Sequence, residues 1–323
     1  MRAAQVTRLD GPDGIEVTDV EEPTGDGIVV DVHAAGAAFP DALLTRGLYQ
    51  YRPEPPFVLG SEIAGVVRSA PNNAHIRAGD RVVGLTMLTG GMAEVAVLQP
   101  DRAFKLPDNV TFAAGAGVLF NDLTVYFALS VRGRLRQGET VLVHGAAGGI
   151  GTSALRLASV LGASRTIAVV STEEKGQIAT AAGATDVVLA EGFKDAVKEL
   201  TGGRGVDVVV DPVGGDRFTD SLRSLVPGGR LLVVGFTGGE IPTVKVNRLL
   251  LNNIDLVGVG WGAWTLTHPD ALAEQWAAVG PLLSSGQLHP PEPVVYPLEE
   301  AAAAVASLEN RTAKGKVVLR VRD

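Results

Sequence analysis

The sequence predicts an α/β protein in which a doubly wound parallel sheet is joined to a second, β-rich domain. Three observations predict it. A glycine-dense turn lies between a short apolar strand and an amphipathic helix over residues 140–162, TVLVHGAAGGIGTSALRLASVLG. From that strand to residue 234, strands and helices alternate strictly, which is the pattern of successive βαβ crossovers. Before residue 106 the texture is different: short apolar or alternating runs are broken by GPDG, EEPTGDG and YRPEPP, which suits a compact antiparallel domain.

At 323 residues the chain has room for about two domains of roughly 100 to 200 residues each. Aromatic residues make up only 5%, so alanine and the 40 glycines fill much of the space where helices pack closely on a sheet. No run of about 18 uninterrupted apolar residues occurs, and the opening MRAAQVTRLDG has no apolar signal core. A cytoplasmic protein without membrane insertion is the expectation. The chain has no cysteine, which excludes disulfides, thiolate-held zinc and a cysteine nucleophile. A net charge of −8 argues against nucleic acid as a partner, because phosphate binding needs a basic surface.

Taken in order, strands are expected at 27–33, 62–68, 80–86 and 93–98, with one short helix at 40–47. A helix follows at 111–134, small residues first. The alternating series then runs strand 141–143, strand 166–170, helix 173–182, strand 186–189, helix 193–201, strand 206–210, helix near 218–225 and strand 230–234. One more strand is expected at 252–259. The tail gives a helix from 268 to 284, a strand, a helix beginning near 298 and a last strand at 316–321. These cannot all extend one sheet. The simplest arrangement returns the tail to the first domain, giving boundaries of 1–120, 121–262 and 263–323 and a cleft between the domains.

Within the glycine-dense turn, Ala146, Gly148 and Gly151 hold the three spaced positions of a dinucleotide fingerprint, with Gly149 and Ile150 inside it. The motif needs a tight turn, close backbone approach to a pyrophosphate, and amides at a helix start aimed at anionic oxygens. Alanine at the first position leaves those requirements intact. An NAD-preferring site commonly ends its second strand in Asp or Glu, which hydrogen-bonds the ribose hydroxyls. Here Ser171 and Thr172 stand at that place, and a carboxylate that would repel a 2′-phosphate is absent. This favours NADPH. On sequence alone Lys175 reads as a solvated first-turn residue beside Glu173 and Glu174.

Several ordered stretches together resemble the zinc-independent quinone oxidoreductases of the medium-chain dehydrogenase/reductase superfamily. They are AFPDALLTRGLYQYRPEPPFVLGSEIAGVV (38–67), GDRVVG (79–84), GGMAEVAV (91–97), the fingerprint in the form AAGGIG, GGRGVDVVVDPVGG (202–215), GGRLLVVGFTGGEIP (228–242) and GKVVL (315–319). The resemblance implies a GroES-like β-rich catalytic domain with an inserted Rossmann domain, and a homodimer joined through the last Rossmann strand. In zinc-dependent members of the superfamily an early cysteine and the histidine of a GHE motif hold the metal. Here the corresponding stretches are AAGAAFPD and Gly60-Ser61-Glu62, so no metal is expected.

The same resemblance turns Lys175 toward the 2′-phosphate and gives roles to further positions. Asn121 and Thr124 line the nicotinamide and phosphate region. Gly235 and Phe236, ending a strand with Val234, deliver backbone to the nicotinamide side. Tyr49 and Asp41 border the substrate pocket. The family's asparagine before FPD is Ala38 here, and its tyrosine after the third strand is Ala190. On residue chemistry alone, Asp41 is as readily a helix cap and Tyr126 core packing. Ser61 fills space, His144 reads as a hydrogen-bonded core residue, Arg204 is a cation without an evident place, and Trp261 and Trp264 suit a pocket wall or an interface.

The expectation for function is hydride transfer from NADPH to a quinone or another α,β-unsaturated carbonyl. The acceptor's own conjugation then spreads the developing charge without a Lewis acid. A 2-enoyl thioester reductase shares the scaffold and stays open. So does a non-catalytic NADPH-binding protein with a regulatory or structural role.

Overall fold

The computed structural model describes residues 1–86 and 88–322. They form two compact units, one comprising Met1–Phe120 with the chain from Leu272 onward, the other Asn121–Ala271.

The second unit is built on six parallel strands. Their spatial order is Asp186–Leu189, Arg165–Val170, Thr140–Val143, Val206–Asp211, Leu225–Val233 and Asp255–Gly258. The central strands are continuous apolar runs because helices cover both faces: Val141, Leu142, Val143, Val208, Val209 and Val210 are all fully buried. The strand order reverses between Thr140–Val143 and Val206–Asp211, and in such sheets ligands bind outside the carboxyl ends of the strands at that reversal. The opposite end of the sheet is stapled by charge. Buried Arg230 donates to both carboxylate oxygens of Glu139 at 2.7 and 2.6 Å, and to the carbonyls of Gly133 and Arg134.

Two sequence expectations shift here. The strand expected at 252–259 is shorter, Asp255–Gly258, and a helix, Asn247–Asn252, precedes it. Asn253 between them takes a left-handed conformation (φ 51°), which a short polar side chain tolerates and which ends the helix. The helix Trp261–Thr267 stays with this unit, since Trp264 packs on Phe127 with ring centroids 5.4 Å apart.

The first unit is antiparallel apart from one pair. Its larger sheet runs Val294–Pro297, Val317–Arg320, Ile28–Ala37, Glu62–Ser69, Arg81–Leu85 and Ala103–Lys105, and Val95–Leu98 pairs with the first half of Ile28–Ala37. The tail strand Val317–Arg320 pairs antiparallel with residues 34–37, so the two ends of the chain share one sheet, and Val294–Pro297 adds to it in parallel. A smaller sheet, Ile15–Asp19, Arg2–Val6 and Phe57–Val58, was not evident in the sequence pattern. The tail helix Ala301–Glu309 closes the core with Ala301, Ala304 and Val305.

The helical stretch over 112–132 begins where the Thr111 hydroxyl accepts the Ala114 amide at 3.1 Å. It is not uniform, because Leu119–Leu123 and Phe127–Arg132 are π-helical. By length and composition alone it could cross a membrane, and 72% of its apolar window is buried inside the protein.

Candidate functional site

The fingerprint turn follows strand Thr140–Val143 and opens the helix Gly149–Val160. The left-handed position is Gly145 (φ 57°), one residue ahead of Ala146, and its carbonyl accepts the Gly148 amide at 2.9 Å to close the turn. Ala146 is fully buried without a positive φ, which is why a methyl group is tolerated there. Gly151 has no such latitude: a Cβ would lie 2.2 Å from the Gly145 carbonyl oxygen and 2.6 Å from Ala146 Cα. At Gly149 a Cβ would meet Asn121 Nδ2 at 2.6 Å. No side chain caps this helix, and among the described residues no protein acceptor takes the amides of Gly149, Ile150 and Gly151. Unsatisfied amides at the positive end of a 12-residue helix, lined with glycine, fit a diphosphate.

Other predicted residues of this unit gather at the same end of the sheet. Ser171 and Thr172 are exposed immediately after strand Arg165–Val170. The Thr172 hydroxyl caps helix Glu173–Ala181 by accepting the Lys175 amide at 3.3 Å, and this places Lys175 in the first turn behind Glu173 and Glu174. Gly235 and Phe236 follow strand Leu225–Val233. A Cβ on Gly214 would stand 2.9 Å from the Phe236 ring, whereas one on Gly235 would meet only the Pro212 carbonyl oxygen at 3.6 Å. The protein itself therefore leaves room beside Gly235. Asn121 and Thr124 are both mostly buried, in and just after the first π turn.

The sequence reading did not single out Glu191, Asp216 and Arg217, which with Ala190, Phe193 and Lys194 line an open recess near the ends of the third and fourth strands. Arg204 does not join these groups. It holds Asp207 at 2.7 and 3.0 Å at the start of strand Val206–Asp211, the end opposite the fingerprint. His144 is buried and its Nε2 lies 2.8 Å from Ser221 Oγ. Ser221 donates its single proton to the Arg217 carbonyl, so His144 Nε2–H is the donor to Ser221. Burial pushes its pKa down to about 4, with Asp211 raising it and Arg217 lowering it. Trp264 stacks on His268 at 3.6 Å, and Trp261 is buried.

In the first unit Asp41 lies fully buried in the first turn of helix Phe39–Thr45, its Oδ2 accepting the Ala38 amide at 2.8 Å while Oδ1 has no hydrogen-bond partner. Burial pushes its carboxyl up to about 7 against the Ala38 and Gly60 amides and Lys316, and Glu62 pushes the same way as burial. Half-buried Tyr49 packs on the core of this unit, and burial together with Asp41 raises its pKa. Ser61 is buried with its hydroxyl unpartnered. Beside it Glu62 forms a buried ion pair with Lys316 at 3.2 Å and accepts the Phe120 amide at 2.9 Å. Burial still raises the Glu62 pKa, with Lys316 pulling it down. Glu62 was quoted in the sequence only as the third residue of GSE, and Lys316, 254 residues away, carried no local signal.

A parallel-sheet unit with a dinucleotide turn and an antiparallel β unit shared by both ends of one chain define the medium-chain dehydrogenase/reductase class. Family models agree: an alcohol dehydrogenase GroES-like domain matches residues 24–108 and a zinc-binding dehydrogenase domain matches 149–280. The chain is 36% identical to quinone oxidoreductase-like protein 2 of Rattus norvegicus, covering 99% of this chain and 92% of that one. It is 30% identical to the quinone oxidoreductase of Homo sapiens over 99% and 97%. Among solved structures, Escherichia coli quinone oxidoreductase complexed with NADPH superposes with a TM-score of 0.89 at 31% identity, covering 99% and 100% of the two chains. A probable oxidoreductase from Mycobacterium abscessus gives 0.89 at 44% over 99% of each. The chain belongs to the quinone oxidoreductase family of the medium-chain dehydrogenase/reductase superfamily.

Proposed function

We propose that the protein is an NADPH-dependent reductase that passes hydride to a quinone or another α,β-unsaturated carbonyl. The observation that carries this reading is the helix start at Gly149–Gly151, whose amides lack protein acceptors and where a Cβ at Gly151 would collide with the backbone of the turn. When bound, NADPH supplies the hydride; the chain's part is to hold and orient it and to exclude water. The amides of Gly149, Ile150 and Gly151 take the diphosphate, with Ala146 and Gly148 shaping the turn and Asn121 and Thr124 beside it. Ser171, Thr172 and Lys175 take the 2′-phosphate end, at a strand terminus without a carboxylate. Gly235 and Phe236 face the nicotinamide side, and Tyr49 and Asp41 contact the acceptor.

Steady-state oxidation of NADPH and of NADH, followed by absorbance against simple quinones, enones and an enoyl thioester, tests the reading. Turnover with quinones or enones and a preference for NADPH are the expected result. Marked preference for the thioester would select an enoyl reductase. Tight NADPH binding without turnover on any acceptor would leave a binding protein in its place.

Assembly belongs to the same proposal. Strand Asp255–Gly258 is the last in its sheet, and Val246, Leu250 and Leu251 near it are each more than 70% exposed. A second copy of the chain covering this edge gives a homodimer. The proposed setting is cytoplasmic.

A further inference from the structure

The surroundings of Asp122 tie it to the dinucleotide turn. Its carboxylate is fully buried in the π turn Leu119–Leu123. One oxygen, Oδ1, accepts from Ser153 Oγ at 2.5 Å and from Arg156 Nη2 at 2.9 Å. Both donors lie in the helix Gly149–Val160 that the fingerprint opens. The neighbouring residue, Asn121, places its amide group where a Gly149 side chain would be. A π turn carries an extra residue, so successive side chains diverge less around the axis than in an α-helix, and such turns recur at functional sites. Here the turn sets Asp122 and Asn121 side by side on one helix, the first gripping its second turn and the first-turn glycine resting against the other.

The grip is stronger than packing requires. Two apolar side chains would join these helices without burying charge, and removing one partner of a buried pair is costly because the other is left uncompensated. Asp122 Oδ2 and Arg156 Nε and Nη1 have no hydrogen-bond partner, so the group is only partly satisfied and is held in place by a single shared oxygen. Two donors from the fingerprint helix converging on that one oxygen set where the π turn meets this helix.

We propose that Asp122 is a positioning residue for the dinucleotide: through Ser153 and Arg156 it sets the π turn against the fingerprint helix, and so holds Asn121 beside the diphosphate-binding amides of Gly149–Gly151. The inference rests on the reading that these amides bind NADPH. Because the diphosphate is common to both cofactors, loss of the grip weakens NADPH and NADH alike, whereas loss of Lys175 weakens NADPH alone.

The test is fluorescence titration of the full-length protein with NADPH and with NADH, alongside melting temperature without ligand, for the wild type, Asp122→Asn, Ser153→Ala and Asp122→Asn/Arg156→Gln. Glu139→Gln, at the opposite end of the sheet, serves as a comparison for stability loss alone. The expected result is a rise of about tenfold in Kd for both cofactors in Asp122→Asn, a smaller rise in Ser153→Ala, and recovery to within about threefold in the double variant. Glu139→Gln should lower the melting temperature and leave Kd unchanged. Should Asp122→Asn fail to fold, Ser153→Ala decides the matter, because it removes one hydrogen bond and no charge. Melting temperatures that fall while Kd stays within twofold of wild type in Asp122→Asn and Ser153→Ala would overturn the positioning role and leave a structural staple. Wild-type protein that binds neither cofactor would overturn the underlying reading itself.

Discussion

The second unit presents its candidate site almost wholly with backbone, whereas the first unit places ionisable side chains where water does not reach. At Gly149–Gly151 the chemistry is that of unpartnered amides, and a side chain at Gly151 is kept out by a 2.2 Å approach to the Gly145 carbonyl oxygen. At Asp41, Glu62 and Lys316 three charged residue types share one interior, paired only in part. The difference is one of tolerance. A backbone site fails through geometry, since its donors cannot be retuned by mutation. A buried ionisable cluster fails through energetics and responds to pH.

The sharpest way to break this contrast is at Gly151. Its Cβ contacts would be with backbone, which cannot rotate away, so Gly151→Val must open the turn and displace the amides by about an ångström. A misplacement of that size lowers turnover by about 100-fold. The measurement is steady-state NADPH oxidation together with far-UV circular dichroism. A folded variant with turnover within tenfold of wild type would show that the turn adapts and that the backbone reading is too strict.

In the first unit the corresponding change is Lys316→Met. It leaves the Glu62 carboxylate buried beside the Phe120 amide without its cation, for a loss of about 3–5 kcal/mol in urea unfolding. Glu62→Gln/Lys316→Met keeps an acceptor for that amide and removes both charges, so most of the loss should return. If the single and double variants are equally unstable, packing of the lysine stem outweighs the charge.

How far each unit was legible follows from the same contrast. The fingerprint, the alternating strands and the serine–threonine strand end are local patterns, carried by spacing and periodicity within a few residues. They were readable because parallel strands buried on both faces leave unbroken apolar runs such as Val208, Val209 and Val210 in strand Val206–Asp211. What stayed hidden joins distant positions. Asp122 meets Ser153 and Arg156 across 31 and 34 residues, and Glu62 meets Lys316 across 254. No periodicity records such pairs. The strands Arg2–Val6 and Ile15–Asp19 were missed because each is only five residues long, Arg2–Val6 lacks strict alternation, and the chain between them is irregular. Arg204 had no evident place in the sequence because sequence order does not say which end of a strand a flanking residue occupies.

The pH responses of the two units run in opposite directions. Asp41 in the folded first unit keeps its proton up to about pH 7, while the unfolded chain releases it near 4. Stability is therefore lost as pH rises from about 4 through about 7. Replacing the carboxyl with an amide removes that loss and keeps an acceptor for the Ala38 amide. Asp41→Asn should match wild type near pH 4.5 and exceed it by roughly 2–4 kcal/mol at pH 8. Lys316, Glu62 and Tyr49 are the other titratable groups coupled to this site, so unfolding curves at both pH values are needed. A difference that does not change with pH would assign Asp41 to capping alone.

His144 supplies the opposite slope in the second unit, and the smallest effect. Folded, it resists protonation down to about pH 4, whereas the unfolded chain takes the proton near 6.5. The unfolded state binds more protons in that interval, so this contribution is complete above about pH 6.5 and is lost as pH falls toward 4. Ser221 already donates to the Arg217 carbonyl, so replacing the imidazole leaves no unpaired hydroxyl proton. His144→Gln should then have a shallower fall in melting temperature between pH 7 and pH 5 than wild type, corresponding to roughly 1–2 kcal/mol at pH 5. Equal slopes for the two proteins would mean that Asp211 compensates the incoming proton, and that the second unit tolerates buried charge at its fingerprint strand after all.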